Sequence, residues 1–324
     1  LCAHLEARGE LVARQLGASV RRPGNRVVDV LVVEPGPDFE ERTAITPAEI
    51  PDLAIEADVG VGRARPRHGA FGSLGCHPET AREVADRAVE IGFFDRVRRG
   101  GRSYYRQTTR YPHDWFGGLV AVENKPDLGT PGDLASQLRR DVSLGLVDEV
   151  VLATESYVTG AHLNRIPEAV GIWRFIGGTG SGDGDRRELE VVRESTPLPV
   201  DEPGVEIVEE RAGRTEVRVV GAEEKARKRR RLAERAYGKG WRTYDLPGCA
   251  NATAGTSDAV AGLPHCTYHD RLVDPASECG PACRGYDAAE PPAADRSAER
   301  DRTSPWVAEP AGRRRRQAGL DRFD

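Results

Sequence analysis

The chain of 324 residues contains no methionine, and only four of its 47 basic side chains are lysine. No apolar run approaches the ~20 residues needed to span a bilayer, which excludes a protein built on membrane helices. No basic stretch leads into an apolar core at the start, so no secretory signal is expected and a cytoplasmic location is. The chain starts at Leu1 with no Met, so the native start is expected to lie upstream. A net charge of −5 excludes a uniformly basic nucleic-acid binder and leaves room for local basic patches. Arginine in excess of lysine, with abundant Ala, Gly, Val and Asp, reads as the product of a GC-rich, salt-adapted genome. Cysteine is scarce through most of the chain, and four of the six cluster late. In a cytosolic protein such a cluster reads as metal ligands before disulfides.

What is present suits a soluble α/β protein with appendages: 38% hydrophobic and 31% charged residues. Residues 1–16 space their apolar side chains as a helix, with a mild interruption at Gly9. Residues 27–33 (VVDVLVV) form an almost fully apolar strand, as for a strand buried on both faces. One acid, Asp29, sits inside it. Residues 34–77 are rich in Pro and Gly, with room for one short helix. Residues 78–92 are a helix, and residues 93–109 a hairpin whose tip is Arg98-Arg99-Gly100-Gly101-Arg102. Strands follow at 119–122, 150–153, 170–175 and 189–193, with a flexible loop at 177–185. A hairpin at 205–219 precedes a basic helix, 223–237, carrying Lys228, Arg229, Arg230 and Arg231. Residues 1–33 and 113–220 thus make a core, 34–112 an insertion, 221–246 a basic helix and linker, 247–286 a cysteine module and 287–324 a flexible tail.

The stretch 119–156 carries the chemistry. A buried strand ends in Glu123-Asn124-Lys125, and alternation turns Glu123 and Lys125 to the same side. A Gly/Pro turn, a helix bearing Gln137 and another strand follow. A second carboxylate would complete an all-oxygen site for Mg²⁺ or Mn²⁺, with Lys125 positioning water or phosphate. Asp29 is the preferred donor, Asp114 the alternative. Glu6 and Glu10 are further candidates. A surface salt bridge at a strand end is the plain alternative for Glu123 and Lys125.

These residues resemble the PD-(D/E)XK nuclease superfamily, over residues 1–195. The resemblance implies a restriction-endonuclease-like mixed central sheet flanked by helices, with Asp29, Glu123, Lys125 and Gln137 catalytic and Asp29 and Glu123 binding magnesium. The chain as a whole also resembles an uncharacterised haloarchaeal family. Helix 78–92 and its basic hairpin resemble the recognition helix and wing of winged-helix domains, with Arg98, Arg99 and Arg102 meeting phosphates. The basic helix could track a nucleic-acid backbone, or be a solvated face.

Cys249, Cys266, Cys279 and Cys283 lie among loop residues with little to pack, and suit zinc or an iron–sulfur cluster. Nucleases related to RecB carry a four-Cys iron–sulfur staple straddling the core, whereas these four follow it, which favours zinc. The tail ends with Gln317, Leu320 and Phe323 behind four arginines. This resembles the sliding-clamp-binding peptide of archaeal replication and repair proteins, although Asp324 replaces the usual second aromatic. The expected function is a metal-dependent DNA nuclease in repair or replication. The rivals are a non-catalytic DNA-binding protein on a degenerate core, and an RNA-processing or small-molecule enzyme.

Overall fold

Gly9, at φ +85, ends the first helix early. In the computed structural model α1 spans only Cys2–Glu6, and Leu11–Gly17 is a strand, β1. Leu11, Val12 and Ala13 are buried in succession, which a strand covered on both faces achieves and a surface helix does not. The expected helix over 1–16 is therefore corrected to a short helix and an added strand. The residues described are 1–6, 8–20, 26–130, 132–176, 188–242, 246–255 and 262–295. The expected loop at 177–185 and the clamp-like residues Gln317, Leu320 and Phe323 lie outside them.

Strand β2 (Val27–Pro35) is followed by α2 (Phe39–Thr43), α3 (Asp52–Ile55), β3 (Arg65–Pro66), α4 (Arg67–Phe71) and α5 (Pro78–Glu90). Strands β4 (Phe94–Arg99) and β5 (Arg102–Gln107) form the expected hairpin, and β3 pairs with β5 to give a small sheet of order β3-β5-β4. Next come β6 (Phe116–Asn124), α6 (Leu134–Leu144), β7 (Glu149–Thr154), α7 (Gly160–Leu163), β8 (Gly171–Ile176) and β9 (Glu188–Arg193). The hairpin β10 (Gly204–Arg211) and β11 (Arg214–Val220) leads into α8 (Ala222–Lys239). Short strands β12 (Ala252–Ala254), β13 (Pro264–Cys266) and β14 (Arg271–Leu272), then α9 (Pro275–Glu278), make up the cysteine region.

Six strands form the central mixed sheet, ordered β1-β2-β6-β7-β8-β9. The first three run antiparallel to one another, and β6 runs parallel to β7. A parallel pair needs a crossover, and α6 supplies it. Alternation divides the core in two. Leu31, Val33, Leu119 and Ala121 face a large apolar cluster that includes Leu134 and Leu138 of α6 and Leu232, Ala236 and Tyr237 of α8. Val30, Val32, Val120 and Val122 face a smaller one with Leu5 of α1, against which Trp241 packs. The chain is thus a mixed α/β fold with helices on its central sheet. No helix among the described residues is long and apolar enough to cross a membrane.

Candidate functional site

Two strand pairings line up the acids. The β1–β2 register brackets Gln15 opposite Asp29. The β2–β6 register, carried one pair beyond Val30↔Val122, sets Asp29 opposite Glu123. Asp29 is held from both sides: Gln15 Nε2 donates to its Oδ1 at 3.1 Å, and the Asn124 amide donates to its Oδ2 at 3.1 Å. Gln15 takes a left-handed backbone conformation, φ 53, which is uncommon for a residue with a side chain. Its carbonyl and that of Arg14 accept from Lys239 Nζ, at 2.9 and 2.6 Å.

A guanidinium sits among the carboxylates. Arg26 Nη2 donates to Glu123 Oε2 at 2.9 Å, and Arg26 also makes a fork to Asp141 of α6, at 2.8 and 2.5 Å. Glu123 and Asp141 are 8% and 9% exposed, so their charges are largely out of water. Burial pushes both carboxyls above their ordinary range; Arg26 opposes this and the nearby Asp29 adds to it. Burial also works against the Arg26 charge, but its bonds and charge pairing with Asp141 and Glu123 outweigh that and hold it protonated.

Lys125 follows β6 directly. Its amide donates to the Ala153 carbonyl at 2.9 Å, fixing the chain end of β6 against β7. Its side chain is half-buried and has no polar partner among the described residues. Gln137 is half-buried on α6 one turn before Asp141, on the same helix face. Asp114 is elsewhere. It precedes β6 at the opposite end, where its carbonyl accepts from the Asp38 amide. At about 3.3 Å per strand residue it lies ~30 Å from Glu123, so Asp29 is the acid that meets Glu123. Glu6 pairs with Arg242 at 2.5 Å under the other face of the sheet, and Glu10 adjoins β1 at the end remote from Asp29. Arg26 and Gln15 escaped the sequence reading.

The basic residues divide. Arg98, Arg99 and Arg102 are exposed around the β4–β5 turn, with Arg99 lying 5.8 Å from the Tyr104 ring centre. Helix α5 is different: its exposed residues include Glu79, Glu83, Asp86 and Glu90, while Arg82 and Arg87 pair with Glu79 and Glu90. On α8, Arg229 is buried and donates to the Leu146 carbonyl and to Asp148, at 2.9 and 2.7 Å. Arg230 grips Asp52 and Glu56 at 2.5 and 2.8 Å. Both therefore hold the fold together and are not presented to a ligand, contrary to the sequence expectation. Lys228 is half-buried, with its amine pushed below its usual range by burial and then by Arg231 and Arg235; Arg231 is exposed.

Cys249, Cys266, Cys279 and Cys283 line one cavity together with His269. All are free thiols. Among the described residues no three His, Cys, Asp or Glu side chains stand at metal-binding spacing as they are. The expected flexibility from residue 287 onward is corrected at its start, where Ala288 bridges to Cys249 and the Asp287 carbonyl accepts from the Ala250 amide.

A family model described as "Family of unknown function (DUF5787)" matches residues 11–288, which take in the sheet, the insertion and the cysteine region. No curated protein and no solved structure shows significant similarity to the chain.

Proposed function

The chain belongs to this family of unknown function, and from its geometry we propose that it is a metal-dependent nuclease acting on DNA. The observation that carries the reading is the meeting of Asp29 and Glu123 on adjacent strands, with Lys125 at the end of the same strand. The order of the sheet supports it: three antiparallel strands, then a helical crossover to a parallel one, agree with the restriction-endonuclease-like core that the motif implies.

The donor set fits a hard divalent cation, since Asp29 and Glu123 offer carboxylate oxygens at a site partly shielded from water. Magnesium or manganese, when bound, lowers the pKa of a water and polarises a phosphodiester. The chain's own groups do the rest. Gln15 and the Asn124 amide fix the orientation of Asp29. Lys125, without a polar partner among the described residues, brings its charge to a phosphate oxygen, where charge develops as the bond breaks. Gln137, on the face of α6 that carries Asp141, is the helper on this reading. The insertion supports a DNA substrate: a helix leading into a hairpin with a basic tip, in the small sheet β3-β5-β4, is what a winged-helix reading needs, and that tip suits a phosphate backbone. Work in repair or replication, with a tether to a sliding clamp, rests on Gln317, Leu320 and Phe323 alone.

One observation favours a second reading, a DNA-binding protein on a silent core. Arg26 already neutralises Glu123, as a metal otherwise would. Incubation of the protein with single- and double-stranded DNA and Mg²⁺ or Mn²⁺ separates the two. Cleavage is expected, with Lys125→Ala and Glu123→Ala each slowing it by about 100-fold or more while binding persists. Cleavage that survives in both variants would overturn the site. Binding without cleavage of any DNA would establish the second reading.

A further inference from the structure

The cysteine region has only a thin apolar interior: among the described residues Leu246, Ala252, Leu263 and Val273 are its buried aliphatic side chains. Among the described residues, neither apolar cluster of the protein has a member beyond Trp241. Its strands are two or three residues long and its helix has four. Yet its backbone closes on itself. The Ala250 amide reaches the Asp287 carbonyl at 2.7 Å, Asn251 Nδ2 reaches the Gly285 carbonyl at 2.8 Å, and β12, β13 and β14 pair into one small sheet. Loop-rich chain of this size holds such a shape only with a staple.

The middle of the region holds a cavity of about 600 Å³, and all four clustered cysteines line it. They arrive from separate places: Cys249 before β12, Cys266 at the end of β13, Cys279 just after α9 and Cys283 in the loop beyond. Cys249 and Cys266 are buried, at 8% and 9% exposure. None is in a disulfide. Cys249 Sγ accepts from the Asp287 amide at 3.4 Å, the kind of N–H···S bond that supports a thiolate ligand. Cys283 Sγ lies 3.5 Å from His269 Nε2.

We propose that Cys249, Cys266, Cys279 and Cys283 bind one zinc ion, and that this ion is the staple of the C-terminal region. Four thiolates match the tetrahedral preference and soft-ligand tolerance of zinc. The sulfurs do not yet stand at ligand spacing, so binding draws them inward around the ion, to about 2.3 Å. Each thiol releases its proton to solvent as it becomes a ligand, so zinc is held at neutral pH and lost in acid. The inference uses none of the residues of the proposed nuclease site and stands or falls apart from it.

The test uses the full chain, purified without chelator. Metal analysis is expected to give one zinc per chain. Titration with a mercurial reagent should release that zinc as the four clustered thiols react, apart from any reaction of Cys2 and Cys76, which releases none. Exchange into Co²⁺ should give the intense visible bands and sulfur-to-metal charge transfer of a tetrahedral thiolate site. Cys266→Ser and Cys279→Ser should each lose zinc, and Cys76→Ser, outside the region, should retain it. The titration of the unaltered chain keeps the proposal testable should the serine variants fail to fold. Zinc-free protein in which the four clustered thiols react as freely as Cys2 and Cys76, a mass deficit marking disulfides, or iron with broad visible absorbance would each overturn it.

Discussion

Arg26 sets a positive charge where two buried carboxylates meet, and the behaviour of the site follows from that. Glu123 and Asp141 are both pushed toward their protonated forms by burial, with Arg26 opposing. Taking Arg26 away leaves buried carboxylates without their counter-ion, at a cost of about 3–5 kcal/mol where they are ionised. Arg26→Ala should therefore lower the melting temperature clearly at neutral pH and by less as the pH falls and the two carboxyls take up protons. The sign follows from linkage. A carboxyl whose pKa is raised by folding favours the folded state at low pH and loses that contribution as pH rises through its folded value. A divalent cation needs Glu123 ionised, so its affinity should rise with pH just above the ordinary carboxylate range. Calorimetric titration with Mn²⁺ across pH 5–8 checks this, and an affinity indifferent to pH would remove Glu123 from the metal site. Asp29, Glu123 and Lys125 were legible in the sequence because the end of a buried strand is a costly place for charge. Arg26 was not: it stands 97 residues from Glu123 and 115 from Asp141, and only the fold joins them.

Elements were legible where one periodicity prevailed. Helix α5 and the β4–β5 hairpin lie where the pattern sets them, because alternating burial and a Gly-Gly turn admit few other shapes. Strand β1 was hidden, since its apolar residues also fit a helical spacing; pairing along β2 decides the matter. The same local reading cannot weigh charge around a helix, and α5 is where this matters. Its exposed acids would repel a phosphate backbone, whereas the hairpin tip would attract one. On the DNA-binding reading the wing meets the duplex and α5 stays clear. Replacing Arg98, Arg99 and Arg102 with Ala should weaken DNA binding and reduce the steepness of its salt dependence by roughly 2–3, at about 0.9 for each phosphate no longer neutralised. Unchanged binding in that variant, with weaker binding on replacing Arg227 and Arg231, would shift the interface to α8.

Across the whole molecule, α8 is the part that joins the others. Its basic run looks like a surface made for nucleic acid, because each partner lies far away in sequence. Arg229 ties it to Asp148 of the core, Arg230 to Asp52 and Glu56 of the insertion, and Lys225 to the carbonyls of Pro199 and Glu202. The most buried join is Glu234. It accepts from Arg42 at 2.7 and 2.6 Å, from the Ile50 amide at 2.8 Å and from the Tyr111 hydroxyl at 2.9 Å. Arg42 is fully buried and lies 4.1 Å from the Tyr237 ring centre. Removing the carboxylate leaves that guanidinium buried and unpaired, along with an amide and a hydroxyl. Glu234→Ala should therefore cost about 3–5 kcal/mol. Glu234→Gln should cost less, since it retains a carbonyl oxygen for two of the donors. Denaturant unfolding followed by tryptophan fluorescence distinguishes two consequences. Trp115 packs on Tyr237 of α8 at 5.8 Å between ring centres and donates to Tyr111 at 2.7 Å, so it reports on this join, while Trp173 reports on the central sheet. If α8 makes the insertion and the core one cooperative unit, Glu234→Ala lowers the midpoint for both probes together. Separate transitions would mean that Glu234 fastens an insertion able to unfold while the sheet stands.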